Sequence, residues 1–326
     1  MKCLICNLTS LRYVGQNPSF KKGKIYRCKQ CQLAMTHPLP TVKELLEFYQ
    51  SGYYIKTITK EAIEQRLLAS QQRASSQFEF IRQYLPENTT LGKVLDLGCS
   101  DGSLLLSLDK HGFDVWGYEP DTQMAELANK RLSKDQEKVS NDMFPGKEVE
   151  KNTYDLICSS HLFEHIVDPI THLEQIRESL TVNGLLFMEI PNQYSRLKDF
   201  LCPGAQMLGH LYYYSPHSIK CILENHGFKV IYITTCGINI KNFRKPYGKS
   251  SIEIQIDNLI VSLLKIVSKG HLIKKLYDKI EKKVLQLNKL YLSKETTTHQ
   301  VQSPYTTYWE GNEQGNAIRL IAKKMI

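Results

Sequence analysis

No stretch of 18 or more consecutive apolar residues occurs among the 326, so the chain offers no membrane-spanning helix. The opening MKCLICNLTSL lacks the apolar length of an export signal, and Arg12 follows at once, which makes the cytosol the expected compartment. Internal repeats and low-complexity tracts are absent, which excludes solenoid and fibrous architectures. Acidic side chains are missing from residues 1–40, where seven basic ones stand. A second basic stretch, residues 265–294, sets nine lysines against Asp278 and Glu281, so the net charge of +9 sits in two patches flanking a mildly acidic body. Such patches are either solvated faces or contacts for an anionic partner such as nucleic acid, a nucleotide-sugar or a membrane surface.

What is present is an ordinary globular balance of apolar and charged residues, with length enough for one α/β domain and a small accessory module. Residues 1–40 read as a module of short strands and turns around paired cysteines. The prolines of THPLP end it. A helical lead-in follows over 41–90. It opens on a capping box, Thr41 with Glu44, and a second helix covers 61–84. From residue 91 short apolar strands (94–97, 114–118, 154–159, 185–190, 229–234, 318–322) alternate with helices (102–111, 122–132, 169–180, 216–226). That alternation predicts a doubly wound, mostly parallel sheet covered on both faces, a Rossmann-like α/β fold spanning 91–244 and 306–326. Residues 245–305 interrupt it. Stripes such as Ile273, Leu276, Ile280, Val284 and Leu287 predict a helical insertion before the last strand.

The sharpest segment is Asp96-Leu97-Gly98-Cys99-Ser100-Asp101-Gly102, where an apolar strand ends in a carboxylate and passes through a glycine turn into a helix. Glycine permits close approach of a ligand to the backbone, and the helix start offers free N–H groups. The spacing differs from the G-x-G-x-x-G of dinucleotide enzymes, and the carboxylate suits a ligand carrying an ammonium group. One strand later, Glu119-Pro120 places a carboxylate where ribose hydroxyls are accepted. Asn141-Asp142-Met143 follows the third strand, and Ser159 ends the fourth at the carboxyl edge.

The segments VLDLGCSDGSLL, GYEPD, YDLICSSHLFEHIVDP and LTVNGLLFMEIPN resemble, in order and spacing, the motifs of class I S-adenosylmethionine-dependent methyltransferases. The resemblance implies that Asp96 and Gly98, with Cys99, Ser100 and Gly102 in the turn, lie beside the methionine part. It implies that Glu119, followed by Pro120, binds the ribose, that Asp142 and Met143 flank the adenine, and that Ser159 lies over the ligand. Ser100 stands where many members have a third glycine.

Cys3-x-x-Cys6 and Cys28-x-x-Cys31, with 21 residues between the pairs, form a set suited to tetrahedral Zn²⁺ in a structural role. The other five cysteines are scattered and read as core or loop residues.

Methyl transfer to a hydroxyl or a carbon acid needs a base. His161 and His165 stand just past the fourth strand, and His210 stands in GHLYYYS after the fifth. His210 is the first choice for the base. The pair Glu164 and His165 could instead hold a divalent metal, a reading ranked below the base. Tyr53 and Tyr54 are candidates to close over the cofactor.

The combination of cysteine ribbon, TVKELLEFYQSGYY, EHIVDP and HLYYYS resembles bacterial methyltransferases of deoxysugar and surface-polysaccharide pathways. In those a histidine in the region matching His210 lies near the acceptor, often preceded by an acid, where this chain has Gly209. The resemblance does not extend to the large C-terminal domain of the C-methyltransferases, which favours O-methylation. The expected acceptor is a small molecule, sugar or nucleotide-sugar. An RNA methyltransferase docking RNA through its basic patches is the first alternative, although no Asn/Asp-Pro-Pro-Tyr follows the fourth strand. A non-catalytic adaptor is the second. The basic insertion reads as a lid or a dimer arm ahead of a peripheral lipid contact, so monomer and homodimer both remain open.

Overall fold

Two copies of one backbone turn begin the chain. Cys3 N donates to Leu8 O and Asn7 N to Cys3 O; Cys28 N donates to Leu33 O and Gln32 N to Cys28 O. Asn7 and Gln32 hold the equivalent left-handed position, at φ 55° and 66°. The computed structural model describes residues 1–17, 19–50, 60–85, 92–132, 136–192, 209–238, 308–310 and 317–325. All but 239–307 belong to one unit, Met1–Ile238 with Tyr308–Ile326. The insertion expected at 245–305, and Tyr53 and Tyr54, lie outside the described residues.

Strands β1 (Leu11–Gln16), β2 (Lys24–Cys28) and β3 (Ala34–His37) pair antiparallel between and after the two turns. Their sheet has a fourth strand that sequence reasoning missed. Tyr212–Tyr213, β9, pairs with β3 through Met35↔Tyr212 and Ala34↔Tyr213. The cysteine module is therefore built into the rest of the unit rather than hung from it.

Helix α1 (Val42–Gln50) starts on the expected capping box. Thr41 N donates to Glu44 Oε2 at 2.8 Å, and Glu44 N donates to Thr41 Oγ1 at 3.2 Å. Helix α2 (Lys60–Ile81) runs into a 3₁₀ turn, Arg82–Tyr84.

The main sheet has the order β11-β10-β12-β8-β7-β4-β5-β6. Strands β4 (Lys93–Leu97), β5 (Asp114–Tyr118), β6 (Val139–Ser140), β7 (Tyr154–Ser160) and β8 (Leu180–Pro191) pair in parallel. Strand β12 (Ala317–Lys324) runs antiparallel between β8 and β10 (Phe228–Ile238), and the short β11 (Tyr308–Glu310) extends the β10 edge. The fold is the expected mixed α/β sheet.

Alternating residues of the strands feed two cores, as a sheet buried on both faces requires. Leu95, Leu97, Ile157, Leu186, Met188, Ile190, Ile318 and Leu320 face one side, packed with Leu173 and Ile176 of helix α5 and Ile219 and Ile222 of helix α6. Val94, Leu156, Cys158, Phe187 and Ile321 face the other, packed with helix α2, Leu104, Leu105 and Leu108 of helix α3, and Ala125 and Ala128 of helix α4. The ranges are α3 (Ser103–Asp109), α4 (Thr122–Leu132), α5 (Pro169–Ser179) and α6 (Pro216–Asn225). Both α5 and α6 begin with proline behind a side-chain cap, Asp168 and Ser215. Cys3, Cys28 and Cys31 join the first core, which runs unbroken from the sheet into the cysteine module.

Candidate active site

The turn after β4 is a run of left-handed residues: Gly98 at φ 68°, Ser100 at 50° and Gly102 at 72°. Ser100 thus occupies a position that favours glycine, which is the physical content of its departure from the family pattern. Gly98 N and Cys99 N both donate to Tyr118 O, which welds this turn to the end of β5. The Cys99 side chain is turned into the core, and the Asp101 side chain serves the turn itself, accepting from Ser103 N and pairing with Arg131 at 3.0 Å.

Asp96, one residue before the end of β4, is almost fully buried, and its Oδ1 has no hydrogen bond. Burial, then the charges of Glu119 and Asp101, push its carboxyl well above the ordinary range. A cationic ligand group at this oxygen would relieve both penalties, so the residue fits an ammonium. Glu119 accepts from Ser100 N through Oε2 (2.8 Å) and from Asp121 N through Oε1 (2.9 Å), which fixes its carboxylate at the carboxyl end of β5. Pro120, Asp142 and Met143 lie exposed nearby in sequence order; Ser159 is fully buried.

The second half of the site lies past β7. A methyl group added at Gly98 would come within 3.4 Å of Leu162, so the histidine segment lies against the glycine turn. His161 is left-handed at φ 53°, a conformation uncommon outside glycine. The structure brings His161, His165 and His210 together around Glu164. Glu164 Oε1 lies 3.7 Å from His161 Nδ1, 3.8 Å from His165 Nε2 and 3.8 Å from His210 Nε2. The Glu164 side chain is 1% exposed, and neither carboxylate oxygen has a hydrogen bond. Burial opposes its charge, but His161 foremost and then the other imidazoles hold the carboxyl down at about 2.

Two residues of this cluster escaped sequence reasoning. Glu189 on β8 and Arg319 on β12 face each other across the antiparallel ladder, both at 0% side-chain exposure. Arg319 donates from Nε (2.8 Å) and from a terminal nitrogen (2.5 Å) to Glu189 Oε2, and its other terminal nitrogen reaches Ser76 on α2. Glu189 Oε1 lies 3.5 Å from His161 Nε2. His161 therefore bridges two buried carboxylates. Burial works against its charge, yet Glu164 and Glu189 raise the imidazole to about 9. The available signal was a single charge inside each of two apolar strands, Leu-Phe-Met-Glu189-Ile and Ala-Ile-Arg319-Leu-Ile, of opposite sign.

The four cysteines of the opening turns converge. Sγ separations are 3.3 Å for Cys3–Cys31, 3.4 Å for Cys6–Cys28 and 4.0 Å for Cys6–Cys31. A Zn–S bond of about 2.3 Å in a tetrahedron requires S···S near 3.8 Å, and a disulfide about 2.05 Å, so the set fits a four-thiolate metal.

Residues 68–233, just over half of the chain, match the family model described as a methyltransferase domain. The chain belongs to this methyltransferase family. A ubiquinone biosynthesis O-methyltransferase of Acinetobacter baylyi is 30% identical over 120 residues, 35% of this chain and 50% of that protein. One from Aliivibrio fischeri is 30% identical over 120 residues, 36% and 51%. The chain thus spans about half the length of the curated relatives it matches. Among solved structures, an S-adenosylmethionine-dependent methyltransferase from Thermotoga maritima aligns with a TM-score of 0.48 at 14% identity, covering 86% of this chain and 98% of that one. Another, from Archaeoglobus fulgidus, gives 0.44 at 18%, covering 79% and 98%. The matched methyltransferase region takes in the glycine turn, Glu119, Glu189 and all three histidines. It leaves out Arg319 and the four cysteines.

Proposed function

We propose that the protein transfers a methyl group from S-adenosylmethionine to a hydroxyl of a small acceptor of the sugar or nucleotide-sugar class. The observation that carries this reading is the convergence of His161, His165 and His210 on the buried Glu164 beside the glycine turn. Asp96 would hold the amino group of the methyl donor and Glu119 its ribose, with Gly98, Cys99, Ser100 and Gly102 giving backbone access, Asp142 and Met143 near the adenine, and Pro120 and Ser159 framing the site. When bound, the donor supplies an electrophilic methyl on a sulfonium. His210 takes the proton of the acceptor hydroxyl, and Glu164, 3.8 Å from its Nε2, stabilises the charged imidazole that forms. His161, held charged between Glu164 and Glu189, has both ring nitrogens turned to those carboxylates, so it serves to hold Glu164 in place rather than to take a proton. O-methylation also agrees with the activity named for the Acinetobacter baylyi and Aliivibrio fischeri relatives. The sugar class rests on the resemblance of the histidine segments and the cysteine ribbon to polysaccharide-pathway enzymes. Cys3, Cys6, Cys28 and Cys31 would hold a structural Zn²⁺.

The test is methyl-labelled S-adenosylmethionine added with the protein to a fractionated lysate. Label in nucleotide-sugars or glycan precursors is expected. Label in RNA alone would overturn the acceptor class, and no label together with no binding of S-adenosylmethionine would overturn the enzyme.

A second reading has its own observation. Gly209 O can only accept, so its 3.1 Å contact with His165 places a hydrogen on Nδ1, and in the neutral ring Nε2 is then an acceptor turned to the carboxylate of Glu164. Two acceptors in apposition, with both Glu164 oxygens lacking hydrogen bonds, suit a divalent cation held by Glu164, His165 and His210. Turnover lost on chelation and restored by Mg²⁺ or Mn²⁺, with the zinc content unchanged, would establish it over the base reading. Full turnover after chelation would dismiss it.

A further inference from the structure

The segment that carries His210 is gripped by the cysteine module, and one residue of that module, Asn17, reaches the carbonyl of His210 itself. Asn17 is 2% exposed and uses every polar atom of its side chain. Its Nδ2 donates to His210 O at 2.9 Å and to Thr36 Oγ1 at 2.8 Å. Its Oδ1 accepts from Ser19 N at 2.8 Å and Phe20 N at 3.1 Å. Its own N–H donates to Gly23 O at 2.8 Å, so the residue cannot shift without opening the turn it sits in. Around this centre Ser19 Oγ accepts from Gly209 N at 2.7 Å and Thr36 N donates to Leu211 O at 2.8 Å.

The same short segment is tied on its other side to the histidine cluster. Leu211 N donates to Glu164 O at 2.9 Å, and His165 Nδ1 donates to Gly209 O. The rings of His165 and His210 meet edge to face with centroids 4.8 Å apart. Gly209 sits at φ 76°, where a Cβ would strike the Phe48 ring at 2.9 Å, so an acid at this position would strain the backbone and displace that ring. The module thus does the locating that a preceding side chain cannot do here.

We propose that Asn17 is a positioning residue for His210: by fixing the 209–211 backbone it aims the imidazole at Glu164, which makes the cysteine module a working part of the methyl-transfer site. The proposal rests on the reading of His210 as the base. Holding a base to within a fraction of an ångström matters because misplacement by about 1 Å can cost on the order of 100-fold in rate. Among the described residues, Glu164, His165 and Tyr213 face His210.

The test is a double-mutant cycle with an imidazole readout on the full chain. Asn17→Asp keeps the acceptor for Ser19 and Phe20 and removes the donor to His210 O. Labelled methyl transfer into a nucleotide-sugar fraction should fall about 10- to 100-fold. Binding of S-adenosylmethionine should stay within about twofold, and the NMR signals of the His210 ring should shift as the ring leaves its place beside Glu164 and His165. In the His210→Ala background the same substitution should cost nothing further in rate. Additive losses, or unmoved NMR signals of the His210 ring, would show that Asn17 acts through general stability and overturn the proposal. If Asn17→Asp does not fold, Ser19→Ala carries the same cycle with a loss of about 3- to 10-fold expected. An unchanged rate in His210→Ala alone is a distinct result: it removes the base reading, and this proposal falls with it.

Discussion

The two halves of the site are built in opposite ways. The glycine turn and Glu119 come from one continuous strand–turn–helix–strand stretch, 96–121, and hold each other mainly through backbone N–H groups. The histidine cluster gathers residues 161–165, 189, 209–213 and 319, braced by 17–36, and its decisive contacts join side chains from distant segments. The first half depends on local backbone conformation. The second exists only when sheet register and module packing are all in place. Damage to one half should therefore leave the other readable.

The largest effect should come from the distant half. Arg319→Ala strips the buried Glu189 of the guanidinium that holds its Oε2, a loss of about 3–5 kcal/mol in unfolding free energy. Replacing both residues by apolar ones of similar size should recover most of it in denaturant melts; a loss below about 1 kcal/mol from Arg319→Ala would show that the pair is dispensable. On the local half, Glu119→Ala should weaken S-adenosylmethionine binding by about 2–3 kcal/mol, roughly 100-fold, in calorimetry. The three imidazole signals should not move, and if they do the two halves are not separable.

A smaller effect concerns pH. His161 is raised from 6.5 to about 9, so its contribution to stability is full below pH 6.5 and lost as pH rises through 9. Glu164 is lowered from 4.5 to about 2, so its contribution is full above pH 4.5 and lost as pH falls toward 2. Stability from this cluster should be level between about pH 4.5 and 6.5 and decline toward 9. Glu189→Gln should bring the His161 titration, followed by NMR, down toward its ordinary value. The smallest effect is expected at Ser100. Ser100→Gly relieves the left-handed strain but loosens the unfolded chain, for a net gain of about 0.5 kcal/mol in thermal melts with cofactor binding kept.

Legibility in the sequence followed the same division. Strands β4, β5 and β7 stood out because apolar runs between turn residues mark a sheet buried on both faces. Thr41 with Glu44, and the prolines opening α5 and α6, placed three helix starts. The turn at Gly98–Gly102 and the carboxylate at Glu119 were visible because their geometry is encoded within a few residues. The histidines could be nominated, but their meeting at Glu164 could not, since nothing near His210 says that Tyr212 and Tyr213 will pair with Met35 and Ala34. Asn17, Glu189 and Arg319 look ordinary until register puts each opposite its partner. The early start of β8 at Leu180 was hidden by Asn183-Gly184, which reads as a turn, and Asn183 is indeed left-handed at φ 69° within the strand.

The placement of Arg319 has a consequence for how the protein comes into being on the ribosome. Glu189 and its contact with His161 are synthesised about 130 residues before the cation that makes a buried Glu189 tolerable. A nascent chain that has emerged through residue 213 carries every histidine of the cluster, yet cannot sink Glu189 into the sheet at acceptable cost until β12 arrives and inserts beside β8. The emerging chain should therefore keep its S-adenosylmethionine half and its acceptor half out of step, so that partly made copies hold the methyl donor without a finished place to use it.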